Sequence, residues 1–395
     1  MRISDVKVML LTYVVPKQHQ TPSEFGTRVS FHAAIVRVET DEGIVGYGEA
    51  GGTPMVMKAI VEKQLKPIWV GQDPTQVERL WELMYNGARL GLALKYGRSH
   101  PVLGRRGETV CAISGVDVAL WDVYAKSLGL PIYKLLGGGC RERIRAYASG
   151  GWAPLGMVAE EIGGYMAKGF TAVKMRVGGI DEPRPVSGSL ARVREARQSI
   201  GAKADLMVDA HGSFGVKSAI QFAQAAEEHN LYWFEEPVCG DNLAGLAEVR
   251  AATSIPIAAG ENEFTRFGFR DYIENSALDV FQPDVAIVGG LTECRRIADI
   301  ASAWHIALAP HVWGSAVLFA TSLQLAAAIP NCVIFEFCQA NNNLLYDMMV
   351  DPIQVDRDGY VTIPQKPGLG MELQPDLEKK YPFQENVETV RPLTA

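Results

Sequence analysis

Asp209, Glu235, Glu261, Asp284, His311 and Glu336 follow one another at gaps of 26, 26, 23, 27 and 25 residues. A strand, its loop, a helix and a return loop together consume about that length of chain, so each polar group falls where one strand ends and its loop begins. A ladder of this kind leaves the second half of the chain little choice but repeated parallel β/α units, and it predicts a barrel whose rim carries chemistry.

Strand ends are expected near Ser149, Lys174, Asp209, Glu235, Glu261, Asp284, His311 and Glu336, with helices between them. One of those helices is plain in the pattern: Leu291, Cys294, Ile297, Ala298 and Ala301 share a face, and Arg295, Arg296 and Asp299 the other. The first part of the chain has a different texture. Residues 3–48 alternate as in Ala33-Ala34-Ile35-Val36-Arg37-Val38-Glu39, with a turn at Asp41-Glu42-Gly43, which predicts an antiparallel hairpin or meander. Helical spacing follows over 55–85 and 110–128. We therefore divide the chain into an α+β domain over 1–132, completed by about 365–395, and a barrel over 133–364. The proline- and charge-rich last residues are expected to return to the first domain.

With 395 residues the chain exceeds one average core, which agrees with two domains. Its net charge of -7, without any basic run, argues against a nucleic-acid surface and leaves a small molecule as the expected partner. The six cysteines form no Cys-x-x-Cys pair and are expected to be reduced thiols. The start carries an early acid and lacks an apolar core with a small-residue cleavage site, and the most apolar stretch, 316–329, is too short and interrupted to span a bilayer. A soluble cytoplasmic protein is the expectation.

Any one of the ladder's acids alone would pass for half of a rim ion pair. Asp209, Glu235 and Glu261 on three successive strands would instead repel one another unless a cation held them, and an all-oxygen ligand set selects a hard ion, Mg²⁺ by preference. Lys174 and Arg176, two apart, point toward the same space, and His211 stands in the same relation to Asp209. Across the rim, Asp284 can hold one nitrogen of His311 and leave the other free to take a proton. A cation between flanking bases suits removal of a proton next to a carboxylate.

The motifs Gly115-Val116-Asp117-Val118-Ala119-Leu120-Trp121-Asp122, Trp233-Phe234-Glu235-Glu236-Pro237, Gln282-Pro283-Asp284 and Pro310-His311-Val312-Trp313-Gly314 occur in one chain. With them the sequence resembles the mandelate racemase subgroup of the enolase superfamily over nearly its whole length, and around His311 it is most similar to sugar-acid enzymes, galactarolactone cycloisomerases in particular. The resemblance implies an α/β fold, a (β/α)7β TIM-like barrel with an α+β capping domain. It also implies Asp209, Glu235 and Glu261 as Mg²⁺ ligands, His311 with Asp284 as the catalytic pair, and Glu336 as a group for the substrate carboxylate. A homo-oligomer is expected, because capping loops in the family often meet neighbouring subunits.

The chain departs from the subgroup's Lys-x-Lys pattern, whose second lysine is a base, by placing Arg176 there. Deprotonating arginine at pH 7 costs about 7 kcal/mol, so Arg176 is a poor base and two-base racemisation loses ground. The expected reaction is dehydration of a sugar acid: His311 takes the α-proton and His211 or the protonated His311 assists the leaving hydroxyl, although His211 can equally be a hydrogen-bond donor to a metal ligand. The alternatives are a sugar-acid lactone cycloisomerase, a racemase or epimerase using Lys174 on the second face, and a non-catalytic structural barrel. Specificity is expected from two loops of the first domain, 17–31 with His19, Phe25 and Arg28, and 96–107 with Arg98, His100, Arg105 and Arg106. Trp152 and Trp313 are candidate pocket walls.

Overall fold

The computed structural model describes residues 1–23, 25–87, 104–181 and 183–391, and the expected 96–107 loop therefore lies outside it up to residue 103. Five strands open the chain: β1 (Ile3–Val14), β2 (Thr21–Ser23), β3 (Gly26–Arg28), β4 (Ser30–Thr40) and β5 (Val45–Ala50). β1, β4 and β5 form an antiparallel sheet in the order β1-β4-β5. A helical run over 54–69, then α1 (Val77–Asn86) and α2 (Glu108–Ser127), pack against it. α2 lies directly on β5: a Cβ at Gly48 would run into the backbone at Gly115, so glycine sets how closely helix and strand approach.

The barrel strands are β6 (Arg143–Ser149), β7 (Ala172–Arg176), β8 (Asp205–Asp209), β9 (Leu231–Glu235), β10 (Ile257–Ala259), β11 (Val280–Phe281), β12 (Ala307–Leu308) and β13 (Phe335–Cys338). Between them run α3 (Val158–Ala167), α4 (Pro185–Ile200), α5 (Val216–Ala226), α6 (Leu243–Ala251), α7 (Thr265–Glu274), α8 (Gly290–Ala303) and α9 (Ala316–Ala328). All neighbouring pairs from β13 through β6 to β12 are parallel. A parallel bridge from Leu308 to Cys332 closes the ring, giving the expected (β/α)7β barrel. Tyr147, Ala172, Met207, Trp233, Ala258, Val280, Ala309 and Ile334, one per strand or its immediate extension, fill the interior as a buried layer.

That layer explains the ladder. Strand side chains alternate faces, so the residue two positions after an inward one is inward again and one step nearer the rim. Met207 is followed in this way by Asp209, Trp233 by Glu235, Ala309 by His311 and Ile334 by Glu336. Lys174, two after Ala172, is inward in the same way but ends up deep, two residues before β7 stops.

Residues near the C-terminus pair with the first part of the chain. Pro131 bridges Gly368, Leu11 bridges Pro382, and β15 (Val390–Arg391) pairs with β3, while β14 (Tyr360–Thr362) pairs with β6. The stretch 17–31 is not an open loop. It is a short turn followed by the β2–β3 hairpin, which with β15 makes a three-stranded antiparallel sheet. Among the described residues no helix is long and apolar enough to cross a membrane.

Candidate active site

A cavity of about 320 Å³ opens at the C-terminal end of the barrel strands, where the β2–β3 hairpin meets the rim. Its lining includes Phe25, Arg28, Trp152, Arg176, His211, Glu236, Glu261, His311 and Trp313. Ligand atoms of Asp209, Glu235 and Glu261 lie within 4.8 Å of one another, Glu261 in the cavity wall and the other two buried.

Each acid is held by barrel residues. Glu235 Oε2 accepts from Trp233 Nε1 at 2.9 Å and from Gln282 Nε2 at 2.6 Å, leaving Oε1 to meet the buried Lys174 ammonium. Asp209 Oδ1 accepts from the His211 backbone N–H at 3.0 Å, and its Oδ2 meets the Arg176 guanidinium. The three carboxylates with no sulfur ligand fit a hard divalent cation, and orientation of Glu235 from beneath is the outer-shell support such sites use. Lys174 also approaches Glu336 at 3.1 Å and Asp209 at 3.6 Å. Burial opposes its charge, but Glu235 and Glu336 outweigh burial and hold its pKa above the usual lysine value. Lys174 does not line the cavity; it sits beneath it.

On the other side, a parallel bridge joins Asp284 to His311, and Asp284 Oδ2 lies 2.7 Å from His311 Nδ1. Nε2 faces Glu261, 3.6 Å from its Oε2. Burial works against an imidazolium here, yet Glu261, Glu336 and Asp284 outweigh it and raise the His311 pKa to about 10. A cation on Glu261 would offset the largest of those charges and return His311 toward the neutral form a base requires. Glu336 is fully buried, accepts from the Val312 N–H at 2.6 Å and pairs with Lys174. It therefore fixes the backbone next to His311 and is not part of the cavity lining.

The Arg176 guanidinium sits against both Trp152 and Trp313, its carbon 5.9 and 5.5 Å from the two ring centres, while the indoles meet each other edge to face at 5.8 Å. The two rings and the Asp209 carboxylate hold the guanidinium at the rim. Arg28 reaches the cavity from β3, and Phe25 packs on the His211 ring at 5.4 Å. His19 is exposed in its turn and stays outside the cavity lining. Arg105 is engaged with the Tyr85 carbonyl at 2.7 Å, and Arg106 is exposed outside the lining.

Glu236 is a cavity residue that the spacing argument passed over. Burial, then Glu261 and Glu235, push its carboxyl up to about 8. The doubled acid in Trp233-Phe234-Glu235-Glu236-Pro237 was the available signal. Glu236 and His211 both have positive φ, +38° and +44°, a conformation that costs energy for non-glycine residues and clusters at functional sites.

Residues 157–377 match the family described as enolase C-terminal domain-like, and residues 7–137 match the mandelate racemase / muconate lactonizing enzyme N-terminal domain. D-galactarolactone cycloisomerase of Agrobacterium fabrum is 36% identical over 392 residues, covering 95% of this chain and 97% of that protein. D-galactonate dehydratase of Ralstonia nicotianae is 34% identical, covering 86% and 88%. A crystal structure of an enolase superfamily member from Polaromonas sp. JS666 superposes with a TM-score of 0.87 at 34% identity, covering 98% of this chain and 99% of that one. The barrel with its acid triad, the capping domain and these likenesses agree: the chain is an enzyme and belongs to the enolase superfamily, in its mandelate racemase / muconate lactonizing enzyme branch.

Proposed function

We propose that this enzyme is a Mg²⁺-dependent dehydratase of a sugar acid. The observation that carries the reading is the asymmetry of the cavity: an aspartate-held imidazole on one wall and, where a second base would stand, an arginine paired with Asp209 and packed against two tryptophans. An imidazole base facing an arginine, with His211 beside it as a proton donor, suits elimination better than racemisation. Lys174, held protonated beneath the cavity by Glu235 and Glu336, does not supply the missing base.

Asp209, Glu235 and Glu261 would hold the cation. When bound, it supplies positive charge against the substrate carboxylate and against the charge that builds there on proton loss. His311 Nε2 removes the α-proton while Asp284 holds Nδ1–H and steadies the imidazolium. The C–O bond at the β-carbon then breaks, the hydroxyl leaves as water with one added proton, and the enol tautomerises to a 2-keto-3-deoxy acid. His211 and the protonated His311 both face the cavity as donors of that proton. Arg28 and Arg176 attract the anionic, hydroxylated chain, and Trp152 and Trp313 wall it. Opening of a sugar-acid lactone begins with the same proton removal, and the similarity to galactarolactone cycloisomerase favours it as the second reading.

The test is incubation with D-galactonate, D-arabinonate and D-galactarolactone in D₂O, with Mg²⁺ and then with chelator. A metal-dependent 2-keto-3-deoxy acid supports dehydration. Recovered substrate carrying deuterium and no product would overturn it in favour of epimerisation.

A further inference from the structure

Two buried carboxylates of the capping domain face the barrel. Glu49, next to last in β5, is 6% exposed, and Asp117 of α2 is 0% exposed. What satisfies each is the start of a barrel helix. Glu49 accepts from the Ser315 N–H at 3.1 Å, the Ser315 hydroxyl at 2.5 Å and the Leu318 N–H at 3.1 Å, at the head of α9. Asp117 accepts from the Thr292 N–H at 3.0 Å and the Thr292 hydroxyl at 2.6 Å, at the head of α8. A carboxylate at a helix N-terminus satisfies orphan N–H groups and the dipole together.

Of the seven barrel helices these two are the ones that follow Asp284 and His311. The connection from His311 to Ser315 is four residues long and carries Trp313. The loop after Asp284 is tied further: Gly51 N–H donates to the Ala286 carbonyl at 2.9 Å, and Gly289 N–H donates to Ser114 Oγ at 2.8 Å. A Cβ on Gly290 or Gly314 would collide with Asp117 or Glu49, so the backbone is pressed against both acids.

We propose that Glu49 and Asp117 are positioning residues that hold the His311–Asp284 pair in reactive geometry from the other domain. The proposal rests on His311 being the base in the reaction assigned above. Burying carboxylates between domains is a costly way to gain stability alone, whereas a reacting group displaced by about 1 Å can lose on the order of a hundredfold in rate. Asp122 provides the control: it is equally buried in α2, but its carboxylate accepts from the Tyr47 and Leu369 N–H groups and pairs with Lys126, away from both loops.

The experiment uses the full chain labelled with ¹⁵N-histidine, and reads the Nδ1–H proton of His311, identified by its loss in His311→Asn. Wild type and Asp122→Asn should show it, while Glu49→Gln and Asp117→Asn should broaden or lose it. In the same two variants kcat for α-proton exchange should fall on the order of tenfold or more with KM little changed. Ser315→Ala, which keeps the carboxylate and removes one of its donors, should give a weaker version of the Glu49→Gln effect and serves if that variant does not fold. An unchanged resonance and an unchanged kcat in folded Glu49→Gln or Ser315→Ala would overturn the proposal. The resonance needs no substrate, so a wild type that shows it and turns over no sugar acid would count against the assigned reaction alone.

Discussion

The two halves of the barrel rim are built differently. The metal half is braced from within the barrel: Trp233 and Gln282 orient Glu235, the His211 N–H holds Asp209, and Arg192 donates to the Arg176 carbonyl at 2.7 Å. The base half is braced from both sides: Glu336 of the barrel accepts from the Val312 N–H beside His311, while Glu49, Gly51, Ser114 and Asp117 of the capping domain tie down the loops that follow Asp284 and His311. The proposed cation grip thus draws its support from the barrel, whereas the loops beside the proposed base are also tied to the capping domain. An arrangement of this kind makes the two functions separable by mutation.

The largest separation is expected from His311→Asn. It should lower α-proton exchange by roughly 10²–10⁴-fold, while Mg²⁺ binding measured by calorimetry stays within a few-fold of wild type. A lost cation affinity would break the division into halves. The reverse experiment is Asp209→Asn, which should remove calorimetric Mg²⁺ binding and turnover but leave the His311 Nδ1–H resonance in place. His211→Asn tests who donates to the leaving hydroxyl: retained exchange with loss of keto acid assigns His211, and retention of both assigns His311. A smaller effect is expected of Arg28→Ala, which touches neither half; KM for a sugar acid should rise about tenfold with kcat reduced less, and an unchanged KM would remove Arg28 from the substrate wall.

A further effect is one of pH. The folded, metal-free protein raises the His311 pKa from 6.5 to about 10, so folding favours the imidazolium. That contribution is complete below pH 6.5 and is lost as pH climbs through about 10. In chelator, thermal denaturation should therefore show Tm falling across this window, and His311→Asn or added Mg²⁺ should flatten the slope. A slope identical in wild type and His311→Asn would mean that other groups carry it.

The barrel, its rim acids and the Asp284–His311 pair were legible because an inward-facing strand end recurs with the period of the β/α unit, a local and repeating signal. Register within the strand was less so: Lys174 was taken for a rim residue, but β7 runs two residues beyond it and leaves it under the cavity. The hairpin at 21–28 was read as a loop because its third strand comes from residues 390–391, and a partner that distant leaves no mark on the neighbouring sequence. His19 was drawn in by its charge class alone, and its turn points it to solvent. The buried acids Glu49 and Asp117 were invisible for the same reason as the hairpin's partner: each sits in an ordinary strand or helix, and its meaning arises only when two domains meet.

The hairpin carries a consequence for how the enzyme is made. Ser30 Oγ donates to the Glu388 carbonyl across 358 positions, and the Val29 N–H donates to Thr389. A ribosome therefore releases the wall bearing Phe25 and Arg28 hundreds of residues before the segment that clamps it. If Phe25 and Arg28 select the substrate as proposed, changes near residue 391 should alter which substrates are accepted.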